Sequence, residues 1–495
     1  MKEIIFNLMS KISGQAYNPA WEGKVFSLLS AGVSLLIFLC LFGYLFYRYV
    51  WRDLPARKWG IITASALGVI VISKFILSRL WVGYIPDRLL FFAIPSPKIE
   101  NPLWLVLALL IFVIFLLFRK NIQKLKKRNF LIIIFLTFFA FTTAVAGIRQ
   151  GRASIADPMT RIYWEATGNI QFIENTHDFL RDYIVLQPKL AVHATNHPPG
   201  YSLLAYYFSK IVGMSFLGIS LLIILTAGFS VFPIYYLLKK FFDEDVVRKL
   251  IQVYIFIPSI VIMAGTSFEA FFVTIVWTAI TLLFIGWNKS WWLSALGGIT
   301  AGIAFFSNYL FLLLAPFLLV LVVYLWKKFD KINRNKLILR VFISFLSFVL
   351  FFVSLWLWSG YSIIENFFIS HAANSELVIS NFDSILIYFT FFVMNILAFG
   401  IALGIANINL FINNKKEIFI KSKPELWIGF VFILYLCLIG VFQGELTRLW
   451  MFVVPFFLFP LSIIVKKISN RQFNTLLSLL FLQIVVIQIL FYTYW

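Results

Sequence analysis

The sequence predicts an all-α membrane protein that crosses the bilayer about 13–14 times, since a membrane-spanning helix needs about 20 apolar residues. Its 495 residues are 61% hydrophobic and 13% charged. A soluble globular protein has about 45–50% apolar residues, and about a quarter of its residues are charged. The apolar residues lie in long runs, whereas barrel strands are about 9–11 residues long and alternate in polarity. The chain is therefore expected to be a polytopic helical protein.

Fourteen apolar runs are candidates for crossing the membrane. They are 25–50, 59–80, 102–118, 129–148, 214–238, 248–266, 268–287, 291–306, 309–326, 339–358, 384–411, 426–443, 449–465 and 474–494. With this number of crossings both termini lie on the same side, which we expect to be the outer side. The run 198–212 is then a short helix at the outer surface.

Lysine and arginine concentrate in five short loops between these runs. The loops are 119–128, 239–249, 327–340, 412–425 and 466–472. Basic loops favour the cytoplasmic side, so the net charge of +21 indicates membrane orientation rather than nucleic-acid binding. The outer loops are then 149–197, 359–383 and 443–448.

The first outer loop has an acidic residue soon after a predicted span. Asp157 is followed by Pro158, Arg161 and Glu165, and apolar residues at helical spacing predict an amphipathic helix over 159–174. Asp157 would then cap the helix, with Pro158 in its first turn. The alternative, which is compatible with a cap, is that Asp157 takes a proton from an acceptor hydroxyl.

The sequence "NHPPG" ends the same loop. Each proline excludes the residue before it from helical geometry, and a proline readily opens a helix. We therefore expect a rigid corner that fixes His197, followed by the helix beginning near Gly200. His197 is either a solvent-facing turn residue or a substrate-binding residue.

An acid in the first outer loop, followed by "HPPG" and "YSLLAYYFSKIVG", resembles the GT-C glycosyltransferases. The resemblance is to the protein O-mannosyltransferase and aminoarabinose-transferase-like branch, whose motif has leucine where this chain has Gly200. The "DPM" around Asp157 also departs from the two adjacent acids of many relatives. The resemblance implies Asp157 as catalytic base, with Glu165 second, and Arg161 and His197 as substrate-binding residues.

Two further stretches are similar to this family. Glu269, in "GTSFEAFF", takes the place of an acid at the outer start of a span, and Asn308 lies in the outer turn of "FFSNYLF". The resemblance divides the chain into N-terminal helices, a GT-C-like core and C-terminal helices. These divisions are 1–128, 129–326 with the outer loop 149–197, and 327–495 with the outer loop 359–383.

The last outer turn contains Glu445 and Arg448. Ionisable groups at a membrane boundary are candidates for function, and arginine suits phosphate recognition. The pair is either an internal helix contact or, as the resemblance implies, part of a site for a lipid phosphate.

Acids and His371 in the loop 360–384 offer possible ligands for a divalent metal, but no ligand spacing supports one. The cofactor stays undetermined, and His371 is a substrate-binding candidate. No phosphate-binding loop of the nucleotide type is present in the sequence.

The resemblance implies an inverting glycosyltransferase of the cell envelope, multi-pass in the plasma membrane, with its active site on the outer face. Its donor would be a polyprenyl-phosphate-linked sugar, and its acceptor a hydroxyl of a glycan, lipid or protein. Two alternatives are a transporter or flippase of lipid-linked sugars and a non-catalytic membrane scaffold.

Overall fold

The computed structural model describes residues 33, 36–51, 54–80, 93–377, 382, 384–421, 424–442 and 446–493. Within these ranges the fold is helical, apart from two short strands. The strands, β1 (Ile94–Pro95) and β2 (Phe491–Tyr492), pair antiparallel with Ile94 opposite Tyr492.

The helices follow in chain order. The first group comprises α1 (Leu36–Trp51), α2 (Leu54–Leu80), α3 (Pro102–Lys124), α4 (Lys127–Ala146), α5 (Arg152–Thr160), α6 (Thr176–Arg181), α7 (Tyr183–Leu186), α8 (Val192–Thr195) and α9 (Gly200–Val212). The second comprises α10 (Phe216–Gly228), α11 (Val231–Leu238), α12 (Glu244–Tyr254), α13 (Pro258–Ala264), α14 (Glu269–Lys289), α15 (Trp291–Ser307), α16 (Ala315–Lys328) and α17 (Lys331–Ser359). The third comprises α18 (Ile363–Leu377), α19 (Ile385–Leu403), α20 (Ile405–Asn413), α21 (Lys415–Lys421), α22 (Pro424–Leu438), α23 (Leu446–Leu449), α24 (Leu458–Val465) and α25 (Asn470–Leu490). Short 3-10 helices are Ala166–Phe172, Gln187–Lys189, Tyr309–Leu314, Trp450–Phe452 and Val454–Phe457.

The described part of the chain has nine helices long and apolar enough to cross a membrane. Two further crossings are possible where helices are bent, by 51° between α12 and α13 and by 72° between Leu446–Phe452 and Val454–Val465. Pro258 and Pro455 lie at these breaks, and a proline removes a helical hydrogen bond. The expected all-α fold with many apolar helices is thus confirmed, but the helices of the described residues that could cross a membrane number nine to eleven rather than the expected 13–14. The apolar helices Leu36–Trp51, Trp291–Ser307 and Gly429–Leu438 are shorter.

Small residues let three helices, α14, α15 and α17, approach closely. A Cβ atom added to Gly298 of α15 would overlap the backbone carbonyl of Ser344 in α17. On the other side of α15, Gly286 of α14 faces Ser294. Association of membrane helices depends on such close packing because the lipid is as apolar as the side chains.

The basic loops that were predicted to share one side of the membrane meet at one end of the helix bundle. Arg248 of α12 donates to the carbonyls of Gln123 (2.7 Å) and Leu125 (2.6 Å), where α3 ends. Lys466, after α24, pairs with Asp243 at 3.4 Å. Aromatic contacts between the α11–α12 loop and α16 bring the start of the basic loop before α17 to this same end. We call this region the basic end.

One local prediction is wrong. Residues 159–174 do not form one amphipathic helix: α5 ends at Thr160, Glu165 is extended (φ −96°, ψ 155°), and a 3-10 helix follows. Asp157 does not cap a helix but lies inside α5, together with Pro158. Most of the apolar residues that suggested a helix are instead buried inside the loop 149–197, which we call the folded loop. Ile170 is an example.

The corner and helix expected after "NHPPG" are confirmed. α9 begins at Gly200 directly after Pro199 and has 13 residues. A Cβ atom at Gly200 would lie 2.5 Å from the carbonyl oxygen of Phe306 at the end of α15. This close approach gives a physical reason for glycine where the resembling family has leucine.

Candidate functional site

A buried ion pair lies at the end of the bundle opposite the basic end. Glu269 is the first residue of α14, and its Oε1 atom is 3.8 Å from Nε of Arg448 in α23. Glu269 is 6% exposed and Arg448 is 7% exposed. A buried pair of charges is costly to desolvate. This pair, at the start of a helix, is therefore a candidate for a functional site and not only a source of stability.

Arg448 has a partner, Glu269, that was not expected from the sequence. Glu445, the predicted partner, lies outside the described residues. Glu269 and Arg448 come together because α14 packs against the 3-10 helix that follows α23, and Trp277 of α14 donates from Nε1 to the carbonyl of Phe452 at 2.8 Å. Because Glu269 and Arg448 are far apart in the chain, the local spacing of residues does not indicate that they are in contact.

A second acidic residue, Glu165, is buried against a histidine. Nδ1 of His193 lies 3.3 Å from Oε1 of Glu165. Backbone hydrogen bonds hold the two segments together, from Val192 to the carbonyl of Tyr163 (3.0 Å) and from His193 to that of Trp164 (3.1 Å). Burial alone would lower the pKa of the His193 imidazole, but the charge and hydrogen bond of Glu165 raise it above its ordinary value. His193 was not among the predicted binding residues.

His197 and Asn308 meet at a buried tyrosine. Asn308 donates from Nδ2 to the hydroxyl of Tyr201 at 3.3 Å, and the His197 ring lies edge-on to the Tyr201 ring at 6.0 Å. Tyr201 also stacks on Phe268 at 5.8 Å, and Glu269 is the next residue. Burial raises the pKa of Tyr201 well above its ordinary value, so its hydroxyl stays protonated.

These groups form one electrostatic unit. The charges of Arg448 and Glu269 act on the His193 ring, and those of Glu269, Arg448 and Glu165 act on Tyr201. Five predicted site residues are therefore brought together. We define the polar cluster as Glu165, His193, His197, Tyr201, Glu269, Asn308 and Arg448.

Asp157 and Arg161 lie in a neighbouring group around the last strand. The hydroxyl of Tyr492 donates to Oδ2 of Asp157 at 2.8 Å, and Nη2 of Arg161 is 3.4 Å from the same oxygen. The Arg161 guanidinium also lies over the Tyr492 ring, 4.8 Å from its centre. Burial raises the pKa of Asp157, although Arg161 opposes the shift, and the side chain remains 32% exposed.

Strand β2 holds Tyr492 in this position. Arg149, which is buried, donates from Nη1 to the carbonyl of Phe491 at 2.9 Å and from Nη2 to Ser96 at 3.2 Å. Tyr492 was not identified from the sequence because its role depends on this pairing with a distant segment.

His371 is placed elsewhere. Its side chain is exposed on α18, and its ring stacks on Phe367 with centres 6.4 Å apart. α18 is attached to the folded loop through Asn366, which donates to Gln187 at 2.9 Å. His371 is therefore not part of the polar cluster.

Within the described ranges, no group of three or more histidine, cysteine, aspartate or glutamate side chains is arranged to hold a metal ion. Comparisons with protein-family models, with characterised proteins and with solved structures find no match for this chain, so the function is argued from the site itself.

Proposed function

We propose that this protein is an inverting membrane glycosyltransferase that uses a polyprenyl-phosphate-linked sugar. The observation that carries the proposal is the polar cluster, in which a buried guanidinium, two carboxylates and two histidines are gathered at the end opposite the basic loops. A site for a phosphate leaving group needs a cation, for which the cluster offers Arg448. An acceptor hydroxyl needs a proton acceptor, for which Asp157, outside the cluster, is the candidate. The resemblance of "HPPG" and the acidic loop to GT-C enzymes supports the same reaction.

Arg448 would contact the donor phosphate. The separation of 3.8 Å from Glu269 is longer than the about 2.7–2.9 Å of a direct charged hydrogen bond. Glu269 is near enough to attract and orient the guanidinium, although the two groups form no direct hydrogen bond at this distance. The planar group of arginine suits two oxygens of one phosphate.

Asp157 is the better base of the two predicted carboxylates. It is a third exposed and its pKa is raised by burial, whereas Glu165 is buried against His193. The acceptor oxygen forms a bond to the anomeric carbon while the bond from that carbon to the phosphate oxygen breaks. The acceptor proton passes to Asp157, and the polyprenyl phosphate leaves with the electron pair.

The distribution of charge supports the orientation of this site. Basic loops prefer the cytoplasm, so the polar cluster would face the outer side of the plasma membrane. The three shorter apolar helices would complete fourteen crossings.

A transporter of lipid-linked sugars is the second candidate. Transporters often bind substrate where membrane helices are broken, and two apolar helix pairs here are bent by 51° and 72°. Arg448 belongs to the second of these pairs. Net movement of a labelled lipid-linked sugar across vesicles, without transfer to an acceptor, would favour this reading.

Transfer of labelled sugar by purified protein tests the base. Asp157→Asn keeps the shape but removes the proton acceptor, and we expect transfer to fall by about 10²-fold or more. Asp178→Asn, in the same folded loop but with a side chain 46% exposed, is the control and should retain activity. On the acid side, the wild-type rate should fall at a pH above the ordinary aspartate pKa of about 3.9, since burial raises the pKa of Asp157.

An active Asp157→Asn protein together with an inactive Glu165→Gln protein would instead assign the base to Glu165. Absence of transfer by the wild-type protein with any polyprenyl-phosphate sugar would contradict the proposal itself.

A further inference from the structure

A cavity of about 660 Å³ lies at the basic end, between α1, α3 and the start of α25. Its charged lining residues are Arg48, Arg119, Lys120 and Arg471. Among the residues that the structure describes, no carboxylate lines this cavity. We call it the basic cavity, and its uniform positive charge indicates an anionic ligand.

Arg119 is the most informative of these residues because it is completely buried. Its Nε donates to Oδ1 of Asn474 at 2.9 Å, and its Nη2 donates to Oδ1 of Asn470 at 3.0 Å. Its guanidinium carbon lies 4.7 Å from the centre of the Phe473 ring. The third nitrogen, Nη1, has no hydrogen-bond partner in the described part of the chain.

The guanidinium of Arg119 is therefore oriented by neutral groups, and no described carboxylate pairs with it. A buried cation without an anion is unfavourable in or near a membrane. Asn470 and Asn474 also line the basic cavity, so an anion seated there would compensate this charge at short range. The first turn of α25, which begins at Asn470, adds the positive end of a helix dipole.

The basic cavity also adjoins apolar surface. Leu117, which lines it, is 56% exposed. From Leu117, exposed apolar residues continue along one side of α3 at helical spacing: Ile114, Leu110, Leu107 and Leu103. A ligand with a phosphate in the cavity could therefore extend hydrocarbon chains along α3.

We infer that the basic cavity binds the phosphate group of an anionic membrane lipid. Basic pockets between membrane helices on the cytoplasmic side recognise such headgroups. The four cations supply the charge, the amides of Asn470 and Asn474 fix the geometry of Arg119, and the exposed side of α3 receives the acyl chains. The inference is independent of sugar transfer, which is proposed for the opposite end.

Native mass spectrometry of delipidated protein in a neutral detergent measures this binding. The probes are dioctanoyl phosphatidylglycerol, dioctanoyl phosphatidylcholine and sodium phosphate. We expect phosphatidylglycerol to bind more tightly than either of the others, because only this probe has both a net negative charge and acyl chains; the choline cation cancels the phosphate charge of phosphatidylcholine.

The test variant is Lys120→Gln combined with Arg471→Gln. Both side chains are exposed, so folding should be retained, as a melting curve would verify. Each lost charge should weaken phosphatidylglycerol binding about fivefold, and the two together about 25-fold. The matched control is Lys240→Gln with Lys327→Gln, two exposed lysines at the same end but outside the cavity, and its affinity should be unchanged.

Equal weakening in the control variant, or no binding of phosphatidylglycerol to the wild-type protein, would overturn the inference. Sodium phosphate that binds as tightly as phosphatidylglycerol, and that is lost in the test variant, would assign the cavity to a soluble phosphate and overturn the lipid assignment.

Discussion

Replacing Glu269 by glutamine tests whether the Glu269–Arg448 pair only stabilises the fold or also prepares Arg448 to bind an anion. The substitution keeps the shape of the side chain and removes its charge, which leaves Arg448 buried without this carboxylate. Loss of one partner of a buried ion pair costs about 3–5 kcal/mol in the free energy of unfolding. At a separation of 3.8 Å the pair lacks a direct hydrogen bond, so we expect about 3 kcal/mol, the low end of that range.

Arg448→Lys should affect donor binding more than stability. Lysine retains the charge that faces Glu269 but loses the two-pronged geometry that suits phosphate. A hydrogen bond to a charged group contributes about 1.5–3 kcal/mol, so the affinity for a polyprenyl-phosphate sugar should fall by about 10- to 150-fold. Glu269→Gln, in contrast, removes the orienting carboxylate and should change both properties.

Both properties are measured in one detergent, as melting temperature and as binding of the labelled donor. Glu174→Gln is the control, because that glutamate is exposed in the folded loop and should change neither. Unchanged donor binding in both Arg448→Lys and Arg448→Ala, with the proteins folded, would remove Arg448 from the donor site. The transferase proposal would then lose its phosphate contact.

Three further predictions concern orientation, pH and packing. In a variant whose native cysteines are serines, a cysteine at Asn175 should be labelled in intact cells and one at Asn335 should not; both positions are exposed at the surface of the fold, and the reverse pattern would invert the proposed orientation. Because Glu165 raises the pKa of His193, their contact should stabilise the protein fully below the unfolded histidine pKa of about 6.5 and lose this effect as pH rises through the folded pKa; Glu165→Gln should flatten that pH dependence of the melting temperature, and an unaltered profile would contradict the assignment. Gly200→Ala should destabilise the protein by about 1–3 kcal/mol through overlap with the adjacent carbonyl, whereas a melting temperature equal to that of the wild type would argue against the close approach.

The features that could be predicted from the sequence are those encoded locally. The corner before α9 follows from the geometry of Pro198 and Pro199. The long apolar helices follow from hydropathy, because a membrane helix satisfies its backbone hydrogen bonds internally.

The helix over 159–174 was predicted wrongly because buried loop residues can imitate helical spacing. Here Ala166 and Ile170 are buried in a 3-10 helix rather than along an α-helical face. Sequence alone also could not predict the contact between Glu269 and Arg448, since it depends on the packing of α14. Tyr492 was not predicted for the same reason. It lies near the end of an apolar run, and nothing in the neighbouring sequence indicates its contact with Asp157.

The hydrogen bond between Tyr492 and Asp157 spans 335 positions of the chain. A ribosome that adds about 5–20 residues per second needs roughly 20–70 seconds to cover that distance. During this interval α3 and α4 can already be inserted and α5 can already be formed, while the strand that presents Tyr492 does not yet exist. The surroundings of Asp157 are therefore completed after most of the bundle, and ribosomes that stall before the last helix would release chains with an unfinished carboxylate environment.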